Sequence, residues 1–250
     1  MKRRFFCGIM LFVGLCGVLH GQDGLFDDAS EANIVYSKES SVIVNINSSG
    51  LGAYFRQGNN KDAFRTSFFE IGFSTYRDPK QETFPAMYRG YSSYVMGKIN
   101  WVLLLRGDFG MVYNISRKPY WGGVDVNLVY AAGLSLALAK PVYVYVIDIK
   151  DGEYVELLER YDPDVHTDVN ILGRGPFFKG IWKTIPYPGI NGKLGFNFEY
   201  GEYTNVVKSL ELGAVLDYFP IGVPIMAYND PKNLFFSFYL SVIFGKRYNQ

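Results

Sequence analysis

Thiol and imidazole side chains are almost missing. The 250-residue chain has two cysteines and two histidines. Both cysteines, Cys7 and Cys16, fall inside one N-terminal apolar run, so no disulfide framework is available to the rest of the chain. Unbalanced charge is missing as well. With 25 basic and 24 acidic residues the formal net charge is +1, which excludes the strong positive field that holds nucleic acid. Long apolar runs are missing beyond residues 5–19, and that run is shorter than the roughly 20 residues a membrane-crossing helix needs. A mean hydropathy of +0.01 is too low for a helical membrane protein.

The N-terminal run follows Lys2, Arg3 and Arg4 and gives way to a small, polar exit at Gly21 and Gln22. A positive start, a short apolar stretch and a small-residue exit describe a secretory signal peptide over 1–22. A retained anchor is the alternative. Leu15 precedes Cys16 and Phe6 precedes Cys7, so neither cysteine has the small neighbour that lipid attachment requires. Residues 23–39 form an acidic lead-in with Asp23, Asp27, Asp28 and Glu31, read as a periplasmic arm or a plug for the inner mouth.

What the chain does have is aromatic and glycine residues, 20 Tyr, 20 Phe and 27 Gly, arranged with period two. Over 122–140, Val124, Val126, Leu128, Tyr130, Leu134, Leu136 and Leu138 alternate with Asp125, Asn127, Gly133, Ser135 and Ala137. A strand places each set on one face, whereas a helix would scatter both. The same alternation recurs over 67–75, 94–115, 193–201, 208–218 and 236–244, and more weakly over 40–57. Most of these segments reach the 9–11 residues of a bilayer-crossing strand, and globular strands average about 5–6. The polar faces carry small residues and charges of both signs, which suits the crowded inside of a narrow barrel. Tyr113, Tyr130, Tyr200 and Tyr218 sit toward strand ends, as an aromatic girdle would.

The expected fold is therefore all-β. It is a transmembrane antiparallel up-and-down barrel over 40–250, with a soluble sandwich or lipocalin-like barrel as the alternative. Seven strands are clear and an even number is expected. The eighth comes from splitting 40–57 near Asn47–Gly50, in preference to splitting 94–115 at Arg106-Gly107-Asp108. Short turns at 58–62, 116–121 and 203–206 then fall on the periplasmic side, and the connections at 77–93, 147–191 and 220–233 fall outside. Pro186, Pro188, Pro220 and Pro224 are expected to keep those outer connections free of helix and strand.

Eight strands enclose a space that side chains fill. Glu70, Lys98, Arg106, Asp108, Asp125, Glu199, Glu211 and Asp217 are accordingly expected to form a lumen polar network. A proton or solute path is the alternative use of the same charges. Asp162, Asp164, His166 and Asp168 alternate in the longest connection and would share one side of an extended chain. Carboxylates with one imidazole are a weak donor set for a divalent cation, and a solvated acidic loop is the plainer reading. No other cofactor is expected. His166 is the one imidazole base beyond the signal segment, but no serine partner is identifiable from spacing, so an outer-membrane hydrolase is the lesser alternative to a non-enzyme. The Arg106-Gly107-Asp108 tripeptide lies inside a strand pattern, out of reach of an adhesion receptor. Residues 173–180, Gly-Arg-Gly-Pro-Phe-Phe-Lys-Gly, read as a breaker-rich loop, either a lid, a partner contact or a self-packed turn.

Several segments together resemble the small outer-membrane barrel proteins of Bacteroidota. They are Tyr94-Val95-Met96-Gly97-Lys98-Ile99-Asn100, Gly122-Gly123-Val124-Asp125-Val126, Gly133-Leu134-Ser135-Leu136 with Lys140-Pro141, and Phe244-Gly245-Lys246-Arg247-Tyr248-Asn249. The resemblance covers the strand pattern of 40–250 and brings no catalytic set with it. It implies an outer-membrane location in a Gram-negative bacterium. By analogy of size it also implies a non-enzymatic accessory role in a secretion or barrel-assembly complex, with a narrow channel or a loop-based ligand- or metal-binding protein as the alternative. The expected partners are membrane lipid and other outer-membrane or periplasmic envelope proteins, with no nucleic acid.

Overall fold

Alternating large apolar and small or polar residues give strands with two unlike faces, and such strands must bury or cover both. In the computed structural model they do so by closing a ring. The structure describes residues 36–62, 64–86, 88–116, 123–150, 153–167, 169–200 and 205–249. The expected signal segment 1–22, and the lead-in as far as residue 35, lie outside the described residues.

The strands are β1 (Lys38–Asn47), β2 (Gly50–Asp62), β3 (Arg65–Tyr76), β4 (Thr83–Phe84), β5 (Tyr94–Val95), β6 (Asn100–Ser116) and β7 (Asp125–Pro141). They continue as β8 (Tyr143–Lys150), β9 (Glu153–Arg160), β10 (Ile171–Arg174), β11 (Ile185–Glu199), β12 (Val206–Val223) and β13 (Lys232–Tyr248). Eight of them form a closed antiparallel barrel in the order β1-β13-β12-β11-β7-β6-β3-β2. The ring shuts where β1 meets β13, in unbroken register from Lys38↔Tyr248 to Asn47↔Tyr239. The division of 40–57 falls at Ser48 and Ser49, between β1 and β2, where the glycine-flanked polar stretch had placed it.

Facing follows the alternation. Leu134 is 71% exposed and Phe238 63%, and Ile46, Phe55, Phe73, Phe109, Leu194 and Leu212 join them on the outside of the wall. Ser74, Arg106, Ser135, Glu211 and Ser241 are buried inside. A soluble barrel has the opposite arrangement. A continuous apolar outer belt around a polar-lined interior is the facing of a barrel that spans a bilayer. Tyr113, Tyr130, Tyr200 and Tyr218 all lie on the outer surface.

Four segments depart from expectation. Residues 58–62, expected as a short turn, are the end of β2. The 94–115 alternation is not one strand: Tyr94–Val95 pairs with Thr83–Phe84, and the barrel strand begins only at Asn100. The connection expected to be irregular over 147–191 carries a three-stranded sheet, β10-β8-β9, outside the barrel. Its buried side chains Val142, Val144, Val146, Tyr161 and Ile171 pack with Tyr94 into a second apolar cluster. Prolines also fail to exclude strand. Pro186 and Pro188 lie in β11 and Pro220 in β12. Pro186 and Pro188 occupy the part of β11 that pairs with β7 alone, before pairing with β12 starts at Ile190. A missing N–H is tolerated along such a one-sided stretch. Pro220 lies where the β12–β13 register is interrupted between Tyr218 and Val223.

The facing carries a stability prediction. Leu240 is exposed at the middle of β13. Leu240→Arg should destabilise the barrel by about 2–4 kcal/mol in urea unfolding from vesicles, the penalty for a cation at mid-bilayer. Trp182→Arg, at a residue 97% exposed beyond the wall, should change stability by no more than about 0.5 kcal/mol. Equal effects would contradict the belt.

Candidate functional site

The interior is stacked in layers between the end where β1 begins and β13 finishes, the terminal end, and the end that holds the long connections. At the long-connection end lies an apolar layer of Tyr76, Val102, Leu104, Phe219, Val223 and Phe235. Tyr76 and Phe219 each present an edge-to-face contact to Phe235, with centroids 4.6 and 5.2 Å apart. Near the terminal end are Ile43, Phe68, Val129, Val207 and Ile243.

Between the apolar layers is a charged one. Arg56 on β2 donates from Nε to Glu70 Oε2 on β3 at 2.8 Å and from a terminal nitrogen to Glu211 Oε2 on β12 at 2.9 Å. Lys193 on β11 closes the ring, 2.8 Å from Glu70 Oε1 and 3.0 Å from Glu211 Oε1. Tyr239 on β13 donates its hydroxyl to Glu211 Oε1 at 2.9 Å. The Arg56 guanidinium also lies 4.4 Å from the Phe68 ring centroid, a cation–π contact. Two cations and two carboxylates thus neutralise one another across the barrel, each satisfied on several sides. A buried charge requires such pairing.

One step nearer the long connections, Arg106 on β6 makes a two-pronged pair with Asp217 on β12 at 2.8 and 2.7 Å. Its remaining nitrogen donates to the Tyr54 hydroxyl at 2.6 Å and to Ser74 Oγ at 3.0 Å. Asp108 accepts from Asn191 Nδ2 at 2.6 Å. At the terminal end Arg247 makes a two-pronged pair with Glu199 at 2.8 and 2.7 Å and reaches Glu39 at 3.1 Å.

Of the eight residues expected in the lumen network, Glu70, Arg106, Asp108, Glu211 and Asp217 are in the central layers. Glu199 is in the terminal-end group. Asp125 is half-buried beside it, opposite Glu199 in the β7–β11 register. Lys98 requires a correction. It precedes β6 and lies beyond the wall, where its Nζ donates to Gln81 Oε1 at 3.0 Å and sits 3.5 Å from the Trp101 ring centroid. The parity of 94–115 points it into the lumen only if that segment is a single strand, and the strand begins at Asn100. The cations that do the pairing, Arg56, Lys193 and Arg247, were missed. Lys193 had a usable signal, since it shares its parity with Gly195, Asn197 and Glu199. Arg56 sits in the segment with the weakest alternation.

The 162–168 series does not run extended. The Asp162 carbonyl accepts from the His166 N–H at 2.9 Å, and His166 Nδ1 accepts from the Asp162 N–H at 2.9 Å. Asp164 N–H donates to Asp162 Oδ1 at 3.1 Å. The segment is a turn stapled by its own side chains, with His166 Nε2 3.5 Å from Glu159. Asp168 lies outside the described residues. Among the described residues no three His, Cys, Asp or Glu side chains come together to hold a metal ion. Arg106-Gly107-Asp108 is inside β6, its two charges turned into the lumen and engaged there.

No family model matches the chain, and no curated protein matches it. Solved structures do. Neisserial surface protein A is 12% identical over 84% of this chain and 96% of its own, with a TM-score of 0.41. Ail, the attachment invasion locus protein of Yersinia pestis, is 10% identical over 86% and 100%, at 0.39. The N-terminal β-barrel domain of Pseudomonas aeruginosa OprF is 11% identical over 83% and 96%, at 0.37.

The Arg106–Asp217 pair gives a direct test. Asp217→Leu leaves a buried guanidinium without its carboxylate and should cost about 3–5 kcal/mol in unfolding. Arg106→Met combined with Asp217→Leu removes both charges and should recover most of that loss. A double variant as unstable as the single one would show that the pair is not the stabilising unit.

Proposed function

We propose that this chain is a non-enzymatic outer-membrane barrel that works through its outward end, as an accessory subunit of an envelope complex. The observation that carries the reading is the filled interior. An apolar aromatic layer, a self-neutralised ion ring and a second apolar layer succeed one another along the axis, which leaves the charges engaged with one another and not with a solute. A filled eight-stranded barrel is a scaffold, and what it presents lies outside the wall.

With the start of β1 and the finish of β13 on the periplasmic side, the long connections face outward. The β8–β9–β10 sheet stands there; the outer edge of β10 is engaged where Arg174 N–H donates to the Ser92 carbonyl at 3.1 Å, so β9 is the edge strand placed to receive a partner strand within that sheet. Tyr154, Phe178 and Trp182 are exposed on that side, and such side chains are typical anchors of protein contacts. The reading includes residence in the outer membrane after signal-peptide removal and no resident cofactor or metal. It also includes the kinship with small outer-membrane barrels of Bacteroidota implied by the glycine-rich strand segments. Its partners are lipid and envelope proteins.

Purification from native membranes in mild detergent should bring down a defined set of envelope proteins. Deleting 151–160 should release them without changing the gel shift of the folded barrel. A lone monomer in native gels would overturn the accessory role. Planar-bilayer recordings should show no conductance above background, and steady unitary currents would replace this reading with a channel.

A further inference from the structure

Beyond the wall, a partly open cavity of about 200 Å³ lies between the 77–99 connection, the start of β6 and the base of the outer sheet. Its lining combines apolar walls, Trp101, Val142 and Val144, with three cations, Arg77, Lys98 and Arg174. Lys98 is 2% exposed. Its ammonium has Gln81 Oε1 on one side and the Trp101 face on another. No carboxylate pairs with Lys98, Arg77 or Arg174 among the described residues. The charged group of opposite sign nearby is Asp78, and Lys232 already engages it at 2.5 Å.

Lys98 is the buried cation, and Arg77 and Arg174 are exposed at the mouth; a buried ammonium with like charges beside it is an electrostatic cost that an anion would relieve. A further polar group points to the same conclusion. Gln81 lines the cavity, is buried, and its Nε2 has no hydrogen-bond partner among the described residues. An unused donor beside an ammonium and two guanidiniums is the donor set of an oxyanion site.

The backbone fixes this set in place. Gly97 adopts φ +74°, a conformation that favours glycine and turns the chain just before Lys98. Its N–H donates to the Tyr161 hydroxyl at 3.1 Å, and its carbonyl accepts from Ala227 N–H at 2.7 Å. Lys98 itself forms a bridge with Met226, and Ile99 N–H donates to the Ile225 carbonyl at 2.9 Å. The lysine is therefore anchored on both sides of its own backbone, not swinging from a free loop.

We propose that this cavity binds a phosphoryl group carried on a small organic body, with Lys98, Arg77, Arg174 and the Gln81 amide as donors and Trp101 and the valines against the body. The volume is below the roughly 300 Å³ at which drug-sized sites begin, so the occupant is small or inserts only its head. A free phosphate ester and a phosphorylated lipid headgroup share this chemistry. Burial first, then the like charges of Arg77 and Arg174, pulls the Lys98 ammonium down to about 8, with Asp78 acting in the opposite sense. Binding through a charged Lys98 should accordingly weaken as pH rises from 7 to 9.5. The site does not depend on the accessory role, since its occupancy is measured without any partner protein.

The test is calorimetric titration of the full chain in mild zwitterionic detergent at pH 7. One arm uses glycerol phosphate, the other short-chain phosphatidic acid dispersed in the same micelles, with glycerol and a zwitterionic phospholipid as matched controls. Saturable binding in the first arm, weakened at least tenfold by Lys98→Met and by Arg77→Gln with Arg174→Gln, supports a soluble ester. The same sensitivity in the second arm alone supports a lipid headgroup. The rim double variant keeps the buried lysine, so it reports on the site even if Lys98→Met disturbs folding, which the gel shift of the folded barrel monitors. No binding in either arm, or binding that these variants leave unchanged, overturns the proposal.

Discussion

Hydrocarbon offers no partner to a peptide group, and that constraint underlies everything else in the molecule. Each N–H and C=O within the bilayer must be paired by another strand, so the sheet has to meet itself. The β1–β13 seam performs that closure over ten consecutive registered pairs. Once the ring is shut, its circumference sets the inside diameter. The inside diameter in turn decides that Arg56 on one wall can touch Glu211 on another. The ion ring is thus a product of closure, and it also braces it, because its members come from β2, β3, β11, β12 and β13.

Charges in such a space have few choices. A carboxylate buried alone costs several kcal/mol, so each one found inside is held by cations or by hydrogen-bond donors. Glu70 and Glu211 share two cations between them, and Arg106 and Asp217 form a self-contained unit. The polar interior therefore fixes the relative positions of strands far apart in sequence. Arg106 and Asp217 are separated by 111 residues, Arg56 and Glu211 by 155. The same rule sharpens the contrast with Lys98 and its neighbours beyond the wall, where cations gather without being neutralised.

The barrel was legible in the sequence because alternation is a local signal. Leu194 and Phe238 announce their facing by their neighbours alone, and the Asn47–Gly50 break marks its own turn. Three things were not legible. Pairing partners across the lumen depend on register between strands, so Glu70 and Glu211 could be placed inside without Arg56 or Lys193 being named. Lys98 kept the parity of a strand it does not belong to, since the break at Gly97 is a backbone event that alternation does not sense. The outer sheet over 143–174 lies in chain whose surrounding prolines and glycines read as loop, yet Pro186 and Pro188 sit where one side of the strand has no partner to lose.

The wall is not of even height. β1 has ten residues and turns back through Ser48 and Ser49, whereas β12 has 18 and β13 17. Ten residues are enough to cross a bilayer, so the first hairpin ends near the membrane surface while β12 and β13 carry the wall beyond it along one sector alone. The molecule therefore has a compass direction within the plane of the membrane, since anything approaching above the surface meets a raised wall on the β12–β13 side and an open step beside the first hairpin.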